Sequence, residues 1–376
     1  MLVADNDRFA ALVGELAAAD AYAVDAEFHG ESSYYPRLAV LQLATPATVA
    51  VVDATVVDVR PFRAVLEGPG LMVAHAGDQD LQVLHRSAGA IPTRMVDTQV
   101  AAGFLGYGSA SLAKLVHELL GVRLAKGARM TDWFKRPLTS EQIDYAAADV
   151  VHLHDLRAVI EERLAAGGRL AWAYEECERR RRVKEPDVST VWWRVKGSRQ
   201  LRGRSRGVAQ EVAAWRERRA MVEDKPPRRV LSDEAILLLA ERPPATVGDM
   251  PRSRLFDGRR LPAATVDELL AAVARGLALT RGEVRLPPDV DLPSHLQPLA
   301  TLLAAWVAQQ SRELSIDATL IATRADVEAF LRRVPGNPLE EGWRAELVGA
   351  SAARIVAGKA AVAYDGNGRL VLVDLE

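Results

Sequence analysis

The first 170 residues alternate short runs of strand-like pattern with helix-like stretches. Ala23–Phe28, Arg37–Ala44 and Val49–Asp53 are β-type runs separated by turn-rich pieces such as HGESSYYP. A helical piece around Phe62–Leu66 follows, then a strand at Leu71–His75 and helices over Asp78–Ser87, Ser111–Leu120 and Ser140–Ala166. The opening segment MLVADNDRFAALVGELAAAD reads as an amphipathic helix interrupted by charge. Three successive strands, then strands interleaved with helices, predict an α/β layer fold with a mixed sheet. From Arg204 to Leu279 the period is helical, with breaks at Pro226-Pro227, Arg242-Pro243-Pro244 and the run GDMP, which predicts a compact all-α module. A third, mainly helical segment begins after LPPDVDLP and ends in AVAYDGNGRLVLVDLE, where Gly366–Gly368 should turn a terminal β-hairpin. The chain thus divides into an α/β domain at 1–170, a connector at 171–204 containing ERRRRVKEPD, a helical domain at 205–285, and a second, diverged helical domain at 286–376.

Composition narrows the chemistry. At 376 residues the chain exceeds one ordinary domain, and 49% hydrophobic with 26% charged residues is normal for a globular protein. With Cys177 as the only cysteine, neither a disulfide framework nor a cysteine-based zinc site is available. The N-terminus lacks the pattern of a signal peptide, and no apolar run is long enough to span a bilayer, so the cytoplasm is the expected location. Net charge is −2, yet residues 176–230 hold 17 Lys and Arg against 8 Asp and Glu, a local excess of +9 (17 − 8). Such a stretch suits either a solvated helix face or a polyanion. Trp192 and Trp193 lie within it, where packing between domains is the expected use of adjacent tryptophans, ahead of stacking on nucleic acid.

Three acidic pieces carry the candidate chemistry. In AVDAEF, strand alternation sends Asp25 and Glu27 to one face and Val24, Ala26 and Phe28 to the other. Two carboxylates so placed repel, and a divalent cation relieves the repulsion. In AHAGDQDL a strand ends and a helix begins; Asp78 suits a cap, whereas Asp80 is free to point back toward the strand tips. In TSEQIDYAAADV, Thr139 or Ser140 caps a helix on which Tyr145 and Asp149 share a face, with only alanines between them. His152 and His154, two apart on a helix, diverge and make no metal pair. Each piece alone is common. Together they supply the oxygen ligands and the polar group that metal-assisted phosphoryl transfer needs.

The ordered runs DAEF, RLAVLQLA, AHAGDQDL, VDTQVAAGFLG and TDWFKRPLTSEQIDYAAADV resemble the ribonuclease D family, over about residues 20–165. The most specific part is the run from Asp132-Trp133 through Arg136-Pro137-Leu138 to Tyr145 and Asp149. The resemblance implies a ribonuclease H-like fold and 3′→5′ exonuclease activity of the DEDD superfamily. It also implies two divalent ions, Mg²⁺ or Mn²⁺, held by Asp25, Glu27, Asp80 and Asp149. Tyr145, four residues before the last acid, marks the tyrosine type, and no acid is replaced. Residues 211–250 resemble the HRDC module, through Trp215-Arg216-Glu217 and the Pro226–Val230 turn, and in that family such modules help hold nucleic acid. The implied partner is RNA with a free 3′ end, such as a tRNA precursor, acted on by a monomer with no membrane association. Phe28 and His75, beside acids in the motifs, and Lys126, just before Asp132, are further candidates for substrate contact. A DNA 3′→5′ exonuclease of the same superfamily and a non-catalytic nucleic-acid-binding protein are the alternatives.

Overall fold

A computed structural model describes residues 1–125, 131–183, 185–250, 262–287 and 292–375. They form two compact units, one made of Met1–Phe28, Leu38–Val183 and Asp291–Glu376, the other of His29–Arg37 and Lys184–Val290.

The first unit is built on strands β1 (Leu2–Val3), β2 (Ala21–His29), β3 (Arg37–Ala44), β4 (Val49–Asp53), β5 (Leu71–Ala74) and β6 (Met95–Asp97), in the order β1-β4-β3-β2-β5-β6. Pairings β1–β4, β2–β5 and β5–β6 are parallel and β3–β4 is antiparallel, so the sheet is mixed as expected. β2 lies inside the sheet, where its backbone cannot drift. On one sheet face, helix α1 (Asn6–Ala17, capped by Asp5) buries Phe9, Leu12 and Leu16, together with Tyr22, Val24, Leu41 and Leu43. Helices α2 (Arg63–Leu66) and α3 (Asp78–Ala88) complete that layer. The other face carries α4 (Thr98–Gly103), α5 (Leu112–Leu120), α6 (Ser140–Val151), α7 (Leu153–Ala166) and α8 (Leu170–Arg180).

The sequence suggests one helix over Ser140–Ala166; the structure breaks it at His152, whose φ of −102° leaves helical geometry. The two halves serve different parts of the sheet. Ala146 packs with Ala39, Val40, Val51, Trp133 and Leu138, whereas Leu153, Leu156, Ile160 and Leu164 join Ala23, Val73 and Val96. A straight rod could not cover both. His152 caps nothing with its side chain, and His154 faces the Ala44 carbonyl at 3.1 Å. Strands β1 and β6, each three residues or fewer, carry too little pattern to be read from sequence.

In the second unit α9 (Arg204–Glu223) is the axis, with α10 (Pro227–Val230), α11 (Asp233–Glu241) and α12 (Ala263–Ala278) beside it. Gly276 permits the close approach of α12, because a Cβ there would lie 2.5 Å from Val208 Cα. Trp192 sits in this unit's core, and both Trp192 and Trp193 donate through Nε1 to the Arg285 carbonyl, so their packing is internal to the unit, not between domains. The loop His29–Arg37 belongs here as well: Tyr34 Oη donates to Glu217 Oε1 at 2.7 Å, and Asp224 Oδ1 accepts from the backbone N–H groups of Tyr34 and Tyr35.

The C-terminal segment, part of the first unit, contributes α13 (Gln297–Leu314), α14 (Ala318–Ile321), α15 (Arg324–Leu331), α16 (Gly342–Arg344) and α17 (Ala350–Val356), and ends in β7 (Ala360–Tyr364) and β8 (Leu370–Asp374). These strands form the hairpin expected around Gly366 and Gly368, both at positive φ. The segment shares a core with the helices on the sheet: Trp343 packs edge-on to Phe104 at 4.9 Å and stacks on Trp172 at 5.6 Å. Gly103 lets Leu320 in, since a Cβ there would stand 2.4 Å from Leu320 Cδ1. Beside this seam Glu176, fully buried, accepts from Arg179, Arg180 and Arg344 at 2.7–2.9 Å. Burial pushes its pKa up, but those three guanidiniums more than reverse this and hold it at about 2.

Glu176→Gln leaves the buried Arg344 without its counter-charge and should lower stability by about 3 kcal/mol, read by urea unfolding. Because the native pKa is depressed, the stabilisation from Glu176 should hold above the ordinary glutamate range and fade as pH falls toward about 2. An unchanged urea midpoint in the variant would remove this bridge from the account.

Candidate active site

Asp25 and Glu27 occupy alternate positions of β2, in register with Ala23, whose side chain lies in the core on the α6–α7 side of the sheet. Asp149 comes to the same place from the last turn of α6. One oxygen from each of Asp25, Glu27 and Asp149 lies within 4.8 Å of the others, and all three residues are half-buried. Asp80, in the first turn of α3, is buried and close enough to be the strongest repulsive neighbour of Asp25. The four acids suggested by sequence therefore converge, from one strand and two helices.

The electrostatics follow from crowding. Asp25 is half-buried, with protein packed round most of its side chain. Burial raises its pKa well above the usual range, and Asp80, Asp149 and Glu27 add to the rise. Asp80 is pushed up to about 7, chiefly by burial, with Asp97 and Asp78 adding repulsion. Burial alone takes Asp149 up to about 6. The donors are carboxylate oxygens only, the hard type that Mg²⁺ and Mn²⁺ prefer, so the cluster fits divalent ions.

Tyr145 stands one turn before Asp149, and its ring packs against Trp133 with centroids 6.0 Å apart. Local sequence explains the placement of α6. Thr139 accepts from Gln142 N–H while the Gln142 side chain accepts from Thr139 N–H, a complete capping box. Ahead of it, Arg136 grips Asp53 at the end of β4 through two 2.6 Å hydrogen bonds. The same guanidinium donates to the Trp133 and Ala39 carbonyls. The Asp132–Leu138 run is thus tied to β3 and β4, and α6 with it.

Asp97 does the same for α3. Its carboxylate accepts from Ala76, Gly77, Gln99 and Val100 N–H at 2.8–3.3 Å, holding the turn that leads from β5 into Asp80. Ala76 makes that turn at a φ of +57°, in the left-handed region that alanine seldom enters. Asp78 is the first helical residue, not the cap; Gly77 holds that position with no side-chain bond. The acidic motifs do not single out Asp53, Arg136 or Asp97 as supports of the site. Only Asp97, an acid just ahead of a helical run, carries a local signal.

His75 has left the strand, and its Nδ1 meets Thr98 Oγ1 at 3.0 Å; since Thr98 donates to the Ala74 carbonyl, Nδ1 is the donor to Thr98. Burial lowers its pKa, against the pull of Asp97 and the Ala110 carbonyl. Phe28 is half-buried, and alternation puts it with Val24 and Ala26 on the face opposite the acids. Lys126 lies outside the described residues.

A family model described as 3′-5′ exonuclease matches residues 1–165, and one described as HRDC domain matches 205–273. The chain is 36% identical to a ribonuclease D of Nitrobacter hamburgensis, over 99% of both chains. It is 35% identical to a ribonuclease D of Acidiphilium cryptum, over 100% of this chain and 97% of that one. Among solved structures, Escherichia coli RNase D, an exoribonuclease involved in structured RNA processing, matches with a TM-score of 0.81 and 28% identity, covering 95% of this chain and 98% of that one. The catalytic core of Trypanosoma brucei RRP6 shares the fold, with a TM-score of 0.55 and 23% identity over 74% and 79% of the two chains.

Raised carboxylate pKa values mean that the folded, metal-free protein binds more protons than the unfolded chain between about pH 4 and the raised values. Its stability should therefore fall as pH rises through about 6 and about 7, and added Mg²⁺ should flatten that fall. Thermal unfolding across this window, with and without chelator, checks it. The same slope in Asp25→Asn and Asp149→Asn as in the parent would dissociate the effect from this cluster.

Proposed function

This chain belongs to the ribonuclease D family and is a 3′→5′ exoribonuclease of the DEDD superfamily; on that premise we propose which residues carry the hydrolysis and on what RNA. The observation that carries the assignment is the convergence of Asp25, Glu27 and Asp149 within 4.8 Å, with Asp80 pressing on Asp25.

In this reading Asp25, Glu27, Asp80 and Asp149 hold two divalent ions, Mg²⁺ or Mn²⁺. Bound there, they neutralise charge on the attacking and leaving oxygens of an in-line displacement. Everything else falls to the chain. β2, lying between β3 and β5, fixes the backbone that carries Asp25 and Glu27, so the two carboxylates are preorganised. Tyr145, one turn from Asp149 and backed by Trp133, holds and orients the attacking water through its hydroxyl. The half-open edge at Asp25, Glu27 and Asp149 admits a terminal phosphodiester, and cleavage releases a nucleoside 5′-monophosphate with the 3′ oxygen left on the shortened chain. Phe28 and His75 remain the candidates for contact with the terminal nucleotide, and Lys126 for a phosphate.

The substrate we propose is RNA with a free 3′ end, in particular a tRNA precursor or another structured RNA. The E. coli relative's part in structured RNA processing supports that class. The acids come from a single chain, which supports action as a monomer. Among the described residues no helix is long and apolar enough to cross a membrane. The location we propose is the cytoplasm, where such RNA is met.

With 3′-labelled RNA and Mg²⁺ or Mn²⁺, the parent should release single nucleotides, and Asp25→Asn or Asp149→Asn should lower the rate by at least about a hundredfold with unchanged circular dichroism. Tyr145→Phe should reduce kcat by about a hundredfold while leaving metal affinity intact. Release of single nucleotides by both Asn variants at the parental rate would sink the site assignment. Faster degradation of matched DNA than RNA would sink the substrate assignment alone.

A further inference from the structure

Where α9 begins, the second unit has a cavity of about 530 Å³. Arg204, Arg206 and Arg281 line its polar side, Leu279, Val284 and Leu286 its apolar side, and no carboxylate lines it. Some arginines of this unit pair with acids: Arg216 and Arg228 with Asp233, Arg219 with Glu223 and Glu268, Arg275 with Glu211. Among the described residues neither Arg204 nor Arg281 has an ion pair. The acid nearest in sequence, Glu283, has its carboxylate engaged by the Thr280 N–H and hydroxyl at 2.8 and 2.7 Å. Arg206 donates through Nε to the Leu201 carbonyl at 2.8 Å, which fixes its guanidinium at the cavity.

Three cations gathered without a counter-charge repel one another, so the arrangement asks for an anion. Apart from Gly203 and Gly207 the rest of the lining is aliphatic, and Leu286 is 47% exposed. A bare inorganic anion has no use for that surface. A nucleotide has phosphate for the guanidiniums and a sugar and base edge for the leucines, and the base is available only when unpaired. We propose that this cavity holds a backbone phosphate and the adjoining nucleoside of single-stranded RNA. Its charge is not simply that of the matched helical module, since the family match stops at residue 273, before Arg281 and the apolar wall. The inference rests on the reading of this chain as an enzyme of RNA.

The test uses the full-length protein and fluorescent oligouridylate, with chelator present so that no cleavage occurs. In anisotropy titrations, the Arg204→Gln/Arg281→Gln double variant should bind about tenfold more weakly at low salt. The slope of log K against log salt should shrink by about 0.7 for each phosphate that the variant no longer neutralises. Arg204→Lys/Arg281→Lys should keep most of that slope, because it keeps the charge, and it stands in if the Gln variant loses its thermal transition. Equal affinity and salt slope in parent and Gln variant would overturn the proposal. So would uridine monophosphate displacing the oligomer as well as a second oligomer does, which would make the cavity a mononucleotide site. A parent that binds the oligomer in this way yet degrades no RNA would refute the catalytic reading and leave this one standing.

Discussion

Crowding of partly buried carboxylates is the constraint around which the first unit is organised. Asp80 is buried and Asp25, Glu27 and Asp149 half-buried, so water shields them only in part, and burial raises the pKa of Asp25, Asp80 and Asp149 while neighbouring acids add to the rise at Asp25 and Asp80. Left to themselves the side chains would swing outward. Each is instead carried by an element fixed by something other than the acids. β2 is held between β3 and β5, α3 by the Asp97 turn, and α6 by its capping box and by the Arg136–Asp53 clamp. The carboxylates are preorganised for positive charge because folding has already brought them together against their repulsion.

The same logic explains why these supports are themselves ionic. Arg136 and Asp53 compensate each other at 2.6 Å, and Asp97 is surrounded by four backbone N–H donors. Neither support leaves a net cation beside the acid cluster that would compete for the carboxylates. A lysine or arginine reaching into the cluster would lower those pKa values and also quench the site's appetite for divalent ions. Among the described residues, the causes of the raised values at Asp25, Asp80 and Asp149 include burial and other acids but no cationic side chain.

What is legible in the sequence is local. Strand alternation places Asp25 and Glu27 together, and four-residue spacing puts Tyr145 and Asp149 on one face. The residues around Thr139 spell a helix start. What is not legible depends on distant partners. Arg136 finds Asp53 from 83 residues away, and Asp97 serves a turn at Ala76–Gly77. The break at His152 arises because two stretches of one apolar pattern cover different cores. Likewise, the helical pattern after residue 292 gives no sign that Trp343 packs on Phe104 and Trp172 and that Arg344 reaches Glu176. Periodicity reports which face of a helix is buried, never what buries it.

A site of this kind also sets a problem for its substrate. An acidic cluster that attracts divalent cations repels the phosphates it must cut, and in water the field of either charge fades over about 8 Å at physiological ionic strength. Attraction for RNA must therefore be supplied by other residues, far enough along the chain not to neutralise the acids. The net charge of −2 hides that division, because residues 176–230 alone carry an excess of +9. Within that stretch Arg179 and Arg180 pair with Glu176, Arg181 with Glu178, Arg219 with Glu223, and Arg216 and Arg228 with Asp233, which lies outside it. Among the arginines without an ion pair, Arg204 and Arg281 line one cavity together with Arg206, and only uncompensated charge acts on a polyanion. In the proposed reading, separating the two signs of charge along the sequence would let one chain keep both its metal-binding acids and its phosphate-binding bases at full strength.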